Sequence, residues 1–182
     1  MNTFLIILFI IIVIAIVIGI LYIHLYNKFN ESIIRINEAE LRIDNNLREK
    51  YDILNKCVSL IKNVIELDDK AFTSLAKLKA RKISNFELDR ILVDSYTEFL
   101  TIYEKNKDLR DNDEIYKCNK QLELIDEELV TLRNYYNNNI THYKKMIKKI
   151  PTNIVAKIKK YKEKTFYDLK DMSDEDYEDF KL

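Results

Sequence analysis

The longest apolar stretch of the chain occupies residues 4–23 and reads FLIILFIIIVIAIVIGILYI, without a single charged residue. At 1.5 Å per helical residue this stretch extends about 30 Å, the thickness of the hydrocarbon core of a bilayer. Isoleucine and valine favour strands in water, but a lone segment in lipid must satisfy its own backbone hydrogen bonds and is therefore helical. The pattern predicts a transmembrane helix that holds the protein in a lipid bilayer.

The flanks of this segment bear on its orientation and on the alternative interpretation, a secretory signal peptide. A signal peptide has a basic beginning, a shorter apolar core and a small-residue cleavage site, and the segment has none of these features. Residues 1–3 carry no charged side chain, whereas Lys28, Arg35 and Arg42 follow the segment. The positive-inside rule therefore predicts a single-pass protein of the cell membrane with a cytoplasmic C-terminal domain.

Beyond residue 27, apolar positions recur at alternating steps of four and three, which is the spacing of one helix face. No helix breaker separates this region from the apolar segment, so the transmembrane helix is expected to continue into the polar domain. Nine of the eleven positions are apolar, and the stripe consists of Phe29, Ile33, Ile36, Glu40, Ile43, Leu47, Lys50, Leu54, Cys57, Ile61 and Val64.

Two shorter helices are predicted in the middle of the chain. Asp68 and Asp69 are expected to cap the first, which includes the apolar residues Phe72, Leu75 and Leu78. Ser84 followed by Glu87 is a capping-box sequence and predicts a second helix after a hinge at residues 83–85. The packing face of this second helix is predicted at Leu88, Leu92, Ser95, Phe99 and Ile102.

A last long helix is predicted to begin at Asp111 with Glu114 and to end at Pro151, whose ring clashes with the preceding helical turn. Thr152 and Asn153 are expected to cap a short helix after it. The packing face of the long helix is predicted at Ile115, Cys118, Leu122, Ile125, Leu129, Leu132, Tyr136, Asn139, Tyr143, Met146 and Ile150.

Glycine and proline each occur only once, as Gly19 and Pro151. Sheets need tight turns that these residues build, so the chain is predicted to be all-α. Short connections near Leu67, Ser84 and Asp108 favour an N-terminal transmembrane helix that continues into an antiparallel up-and-down helical bundle of three to four helices. An oligomeric coiled coil is the alternative architecture. The predicted parts are a flank (1–3), a transmembrane helix (4–23), a bundle (27–165) and an acidic C-terminal tail (168–182).

Several short sequences resemble motifs of a known family. They are Glu-Ala, Ile-Asp, Leu and Tyr-Asp in the first helix, Leu-Arg-Asp-Asn before the last long helix, and Tyr-Asn, Tyr, Pro-Thr-Asn and Ala towards the end. These are similar to motifs of the LemA proteins, small bacterial membrane proteins with an N-terminal membrane helix and a helical bundle. The resemblance implies this fold and location, and it does not point to an enzymatic activity. The motif residues are Glu38, Ala39, Ile43, Asp44, Leu47, Tyr51, Asp52, Leu109, Asn112, Tyr136, Asn137, Tyr143, Pro151, Asn153 and Ala156.

Few residues of the chain could support chemistry. Cys57 and Cys118 fall on predicted packing faces without CxxC spacing, which favours two small buried hydrophobes over a disulfide or a metal pair. His24 is expected at the membrane interface and His142 on a helix, and neither has the Glu-x-x-His spacing of a di-iron bundle. Phosphate-loop, zinc-protease and serine-hydrolase motifs are absent from the sequence. We therefore expect no catalytic residue, metal or cofactor.

Two charged blocks of opposite sign lie near the C-terminus. Residues 144–164 contain nine lysines and one glutamate, and residues 168–182 contain seven acidic residues and two lysines. A basic segment near an anionic membrane gains on the order of 1 kcal/mol per lysine, although a solvated helix face is the alternative interpretation. The lysines predicted to contact anionic lipid are Lys157, Lys159, Lys160, Lys162 and Lys164.

The acidic tail is expected to be a disordered extension or a partner-binding strip with Tyr177 and Phe180 as apolar anchors. Basic and acidic residues balance at 30 each, and no basic and aromatic platform is set out, so nucleic acid is not expected as a partner. The sequence predicts a membrane-anchored scaffold or interaction protein with an unidentified protein partner. The alternative is a coiled-coil oligomer that tethers or shapes membrane.

Overall fold

A computed structural model of the protein describes residues 3–67, 71–78 and 83–167. Every regular element in these ranges is a helix, which confirms the all-α class. The helices are α1 (Thr3–Val64), α2 (Thr73–Lys77), α3 (Asn85–Lys105), α4 (Lys107–Arg110), α5 (Asp113–Lys148) and α6 (Thr152–Lys159).

Helix α1 is continuous over 62 residues, from the apolar segment into the bundle, as the lack of a breaker predicts. Its N-terminal part is long and apolar enough to cross a membrane, and none of that apolar window is buried inside the chain. The first buried residue of α1 is Phe29. The candidate membrane-spanning segment therefore projects from the bundle, and near its end Tyr22 is partly buried against the core.

Helices α1 and α5 form a long antiparallel pair at the centre of the bundle. Phe29 of α1 contacts Tyr143 near the end of α5, with ring centroids 6.1 Å apart. Farther along α1, Cys57 lies next to Cys118 near the beginning of α5. The residue numbers rise along one helix as they fall along the other, so the two helices run in opposite directions.

Helix α3 packs against this pair and completes the up-and-down order. Asp89, in the first turns of α3, binds Arg133 of α5, and the Tyr96 hydroxyl donates to Asn119 of α5 at 3.2 Å. Helix α3 is therefore antiparallel to α5. The Phe72 amide, just before α2, donates to the Glu98 carboxylate of α3 at 3.2 Å, so the chain returns alongside α3 before α3 begins.

Two N-terminal caps can be compared with the predictions. Ser84 caps α3 as predicted, since its hydroxyl accepts the Glu87 amide at 3.2 Å. Helix α5 is capped by Asn112 and not by Asp111, because the Asn112 side chain accepts the amides of Glu114 and Ile115. The predicted caps Asp68 and Asp69 lie outside the described residues.

The stripe predicted for α5 is the buried face of the helix except near its C-terminal end. Ile140 is buried where Asn139 was predicted, and Ile150 is exposed. Tyr143 and Met146, which lie between these two positions, are buried as predicted, so the departure at Asn139 is local. Ile150 follows the end of α5 at Lys148.

The turn between α5 and α6 differs from the prediction in its hydrogen bonds. Pro151 is the N-cap residue of α6 and makes no side-chain capping bond. The Thr152 hydroxyl instead donates to the carbonyl oxygen of Lys149 at 2.7 Å. The prediction that Thr152 caps α6 was wrong, because its hydroxyl satisfies the end of the preceding helix.

The two cysteines are both buried, as predicted, but they are joined in a disulfide. The prediction of two unpaired thiols was therefore wrong. The antiparallel pairing of α1 with α5 brings the Cα atoms of Cys57 and Cys118 to 5.9 Å, which is a distance that a disulfide bridges. The partners are 61 residues apart in sequence, so no local spacing indicated the bond.

Candidate membrane-facing site

The end of the bundle nearest to the candidate span is closed by aromatic rings. Tyr161, after α6, packs on Phe29 with ring centroids 5.0 Å apart, and Phe29 in turn contacts Tyr143. Burial raises the pKa of Tyr161, and the phenols of Tyr26 and Tyr22 add to the shift. The segment after α6 is therefore placed beside the point where α1 leaves the predicted hydrocarbon region.

Lysines of α6 and the following segment surround this point. The ammonium group of Lys159 lies 4.8 Å from the centroid of the Tyr26 ring, which is a cation–π contact. Tyr26 is only three residues beyond the end of the apolar segment at residue 23. Lys157, Lys160 and Lys162 are also exposed. Four of the five predicted lipid-contacting lysines are thus presented to solvent at the same end of the bundle.

Lys164 is the exception among the five lysines, because it is only 6% exposed. Its charge acts on the half-buried Glu40 of α1, where it opposes the rise in pKa that burial causes in that carboxyl. Lys164 therefore belongs to the interior of the bundle, and the exposed set at this end consists of the other four lysines.

A second group of lysines lines a groove of about 490 Å³ along the end of α5. The Lys144 ammonium lies 4.2 Å from the ring centroid of Phe166, and Lys148 forms a 3.0 Å ion pair with Glu163. The groove is lined by Thr141, Lys144, Lys145, Lys148, Lys149 and Phe166. It combines positive charge with one exposed aromatic ring.

An open cleft of about 400 Å³ lies between α1 and α5 at the same end of the molecule. It contains His142 together with Lys28 and with Arg35, which pairs with Glu31 at 2.6 Å. The full lining is Lys28, Glu31, Ser32, Arg35, Tyr135, Asn138, Asn139 and His142. The cleft adds further polar and cationic groups to the end of the bundle that carries the exposed lysines.

A buried polar network holds Tyr167, the last described residue, against the middle of the bundle. The Asp89 carboxylate accepts two contacts of 2.7 Å from Arg133 and one of 3.0 Å from the Tyr167 hydroxyl. Asn137 bonds the backbone of Tyr167 twice, accepting its amide at 2.7 Å and donating to its carbonyl at 3.0 Å. Burial raises the pKa of Asp89, and Arg133 opposes this rise.

A second buried charge lies further from the candidate span. Lys50 of α1 has no exposed surface, pairs with Asp126 of α5 and lies 5.2 Å from the ring centroid of Tyr96. Lys50 occupies one of the two polar positions of the predicted α1 stripe, so periodicity indicated that it was buried. Sequence reasoning missed its partner, because the pairing depends on the packing of two distant helices.

The motif residues have structural surroundings in the described part of the chain. Asp44 pairs with Arg48 at 2.9 Å, and Tyr51 accepts the Asn55 side chain through its carbonyl. Pro151 and Asn112 occupy helix caps, whereas Glu38 and Asp52 are exposed and Asn153 is half-buried. Asn137 holds Tyr167 as described above. The remaining motif residues are buried, and they are Ala39, Ile43, Leu47, Leu109, Tyr136, Tyr143 and Ala156.

Residues 3–67, 71–78 and 83–167 contain no cluster of three or more His, Cys, Asp or Glu side chains that could hold a metal ion. His24 is exposed beside the candidate span, and His142 lies in the open cleft.

No curated protein matches the chain. A family model, described as the LemA family, matches residues 39–178. The match begins within α1 beyond the candidate span, runs through α6 and includes the buried aromatic and asparagine residues that close the bundle. Since the match covers more than half of the sequence, the chain belongs to the LemA family.

Proposed function

We propose that this protein is a scaffold or interaction module without catalytic activity, anchored by residues 4–23 in the cell membrane of a bacterium. The observation that carries the proposal is the position of Lys159 against Tyr26, which places a basic surface at the exit of the candidate span. The buried charged groups are engaged in structural contacts, since Asp89 binds Arg133 and Tyr167, and Lys50 binds Asp126. Such a molecule presents a rigid bundle at the membrane surface to a protein partner.

The membrane anchor is tested by washing membranes that contain the full-length protein with alkaline carbonate. We expect the protein to remain in the membrane pellet and its N-terminal sequence to include residues 4–23. Release by carbonate, or a mature N-terminus beyond residue 23, would contradict the anchor.

The exposed lysines are proposed to bind anionic lipid. Each lysine near an anionic surface contributes about 1 kcal/mol, and the four lysines share one end of the bundle. The test uses the fragment of residues 27–182, which retains every fully buried residue, because the first of them is Phe29. It lacks the partly buried Tyr22, Leu25 and Tyr26 at the edge of the core. The combined variant Lys157→Gln, Lys159→Gln, Lys160→Gln and Lys162→Gln should bind vesicles of phosphatidylcholine with phosphatidylglycerol much more weakly than the parent fragment.

A control variant of equal net charge separates position from charge. Four exposed lysines at the opposite end of the bundle are replaced by glutamine, namely Lys56, Lys62, Lys117 and Lys120. Co-sedimentation with the same vesicles should remain close to that of the parent fragment. Equal losses in the two variants would mean that net charge alone governs binding and would refute a lysine site at the membrane-facing end.

The bundle is proposed to lie on the cytoplasmic side, because Lys28, Arg35 and Arg42 follow the candidate span. The Cys57–Cys118 disulfide favours the opposite side, since disulfides persist mainly in oxidising compartments. In a reducing cytoplasm the same residues would pack as two buried thiols. Protease added outside intact cells should leave the bundle uncut. Digestion of the bundle in that experiment would place it outside.

The scaffold is proposed to be a single-chain bundle, with a coiled-coil oligomer as the alternative. The support is a core shared by α1, α3 and α5 of one chain, in which Leu47, Phe99 and Leu129 have no exposed surface. Sedimentation of residues 27–182 should give a compact monomer, whereas an extended multimer would favour the coiled coil. Capture of the full-length protein from native membranes, followed by identification of the bound proteins, tests the interaction role.

A further inference from the structure

We propose that the outer face of α6 is a second membrane contact, in which Ile150, Ile154 and Ile158 insert into the interfacial region of the lipid bilayer. The inference rests on the membrane anchoring proposed above and adds an apolar contact to it. A short helix of this kind lies in the plane of the membrane and does not cross it.

The three isoleucines are largely exposed apolar residues at this end of the bundle. Their side chains are 74%, 55% and 59% exposed, respectively. Ile154 and Ile158 are four residues apart, so they lie on the same face of α6, and Ile150 precedes that face in the turn before the helix. Single exposed apolar residues are ordinary on protein surfaces, but a group with helical spacing is typical of an interaction surface.

The position of α6 brings this face close to the bilayer. Lys159, the last residue of α6, lies 4.8 Å from the ring of Tyr26, which is three residues beyond the apolar segment. At 1.5 Å per residue, three residues of α1 correspond to about 5 Å along the helix axis. Amphipathic helices at the interface bury their apolar face to a depth of about 5 to 10 Å.

Charged groups on α6 are arranged as an interfacial helix requires. Lys157 and Lys159 of α6 are exposed, and so is Lys160 directly after the helix. Lysine side chains at a membrane interface extend their ammonium groups to the lipid headgroups while their methylene chains stay close to apolar atoms. The isoleucine face and the lysines therefore fit one and the same lipid surface.

The bundle holds α6 ready for this contact. A helix of eight residues is too short to be stable alone in water, but Val155 and Ala156 are buried against the bundle. Because the helix is already formed, membrane contact requires little further ordering of the chain. The same burial leaves the opposite face of α6 uncovered by the residues that the structure describes.

The absence of tryptophan from the sequence allows a direct test on the full-length protein. Ile154→Trp and Ile158→Trp each introduce a single indole at an exposed position. The variants are reconstituted in phosphatidylcholine vesicles, with and without phosphatidylglycerol, in which part of the phosphatidylcholine carries bromine near the top or near the end of its acyl chains. Leu124→Trp is the matched exposed control, because Leu124 is 65% exposed on the part of α5 that lies far from the candidate span.

We expect shallow bromines to quench Ile154→Trp and Ile158→Trp several-fold more than Leu124→Trp, with emission at shorter wavelength. The proposal would be overturned if bromines quenched both variants no more strongly than Leu124→Trp. This holds whether the indole emission is that of an indole in water or that of an indole covered by protein. Ile14→Trp tests the anchor separately, since deep bromines should quench it in either case. A quenched Ile14→Trp with unquenched α6 variants would leave the anchor intact and reject the α6 contact.

Discussion

The middle of the bundle differs in the placement of its charges from the end at Phe29 and α6, which is called the membrane-facing end because it adjoins the candidate span. In the middle, charged groups are buried and paired, as in the contact of Asp89 with Arg133 and that of Lys50 with Asp126. At the membrane-facing end the interior is closed by Phe29, and the charges lie outside on exposed lysines. Buried pairs make the packing of specific helices necessary, whereas exposed lysines of one sign do not stabilise the fold.

The same residue types therefore stand in two different surroundings in one small domain. A buried ion pair is costly to break because the remaining partner becomes a buried charge without a counter-charge. The pair therefore holds the two helices in one register. An exposed cluster of like charges gains energy only from an outside surface of opposite charge. The predictions below test whether stability and membrane contact are separated in this way along the molecule.

The largest effect is expected from Leu129→Asp in the middle of α5. Leu129 has no exposed surface, so the substitution places an unpaired carboxylate in the core and should cost about 4 kcal/mol or unfold the domain. Thermal denaturation followed by circular dichroism measures this. Glu127→Ala, at an exposed position of the same helix, should change the free energy of unfolding little, and equal small effects would mean that the stripe is not buried.

Arg133→Leu should cost roughly 3 kcal/mol, because Asp89 loses its charged partner while it remains buried. Arg90→Leu at an exposed position of α3 is the control and should be nearly neutral. Burial already raises the pKa of Asp89, and removal of Arg133 raises it further. A group with a higher pKa in the folded state takes up a proton on folding, so the cost of Arg133→Leu should shrink as the pH falls. A cost that grows at lower pH in denaturant titrations would contradict this account.

Reduction of the Cys57–Cys118 disulfide should lower the free energy of unfolding of the oxidised protein by about 2 kcal/mol. This value lies at the low end of the usual range, because the two thiols still pack in the core as small apolar groups. Urea denaturation with and without dithiothreitol measures the difference. A reductant effect of the same size in the double variant Cys57→Ala and Cys118→Ala would show that it does not arise from this bond.

The smallest effect is expected from removal of the acidic tail, residues 168–182, from the fragment of residues 27–182. Tyr167 is held against Tyr136, and Lys148 lies twelve residues farther along α5, which corresponds to about 18 Å. Fifteen residues of chain span this distance easily, so the tail can reach the lysine groove and compete with lipid.

Truncation of the tail should therefore increase binding to vesicles with phosphatidylglycerol at low salt. The gain should vanish as salt rises, because exposed charges are screened beyond about 8 Å at physiological ionic strength. Vesicles of phosphatidylcholine alone serve as the control and should show no gain. Equal binding of both fragments to the anionic vesicles would dismiss competition by the tail.

The elements of the fold followed from patterns that are local in sequence. The stripe around Leu47, the cap at Ser84 and the stop at Pro151 each act over a few residues, so their helices were predicted with small errors at the ends. Position along a helix also indicated that Lys50 is buried. The candidate site was predicted in part, since four of the five lysines are exposed at one end of the bundle, whereas Lys164 lies in the interior.

The sequence by itself determined the all-helical class, the long apolar segment and the face that each helix buries, because these depend on composition and on periods of three and four residues. Only the tertiary structure decided the partners of Lys50, Asp89 and Cys57, and it alone placed Lys159 beside Tyr26. Contacts between residues 44 to 133 positions apart depend on how whole helices pair and in which register. A local pattern contains no information about that register, and the packing of α1, α3 and α5 supplies it.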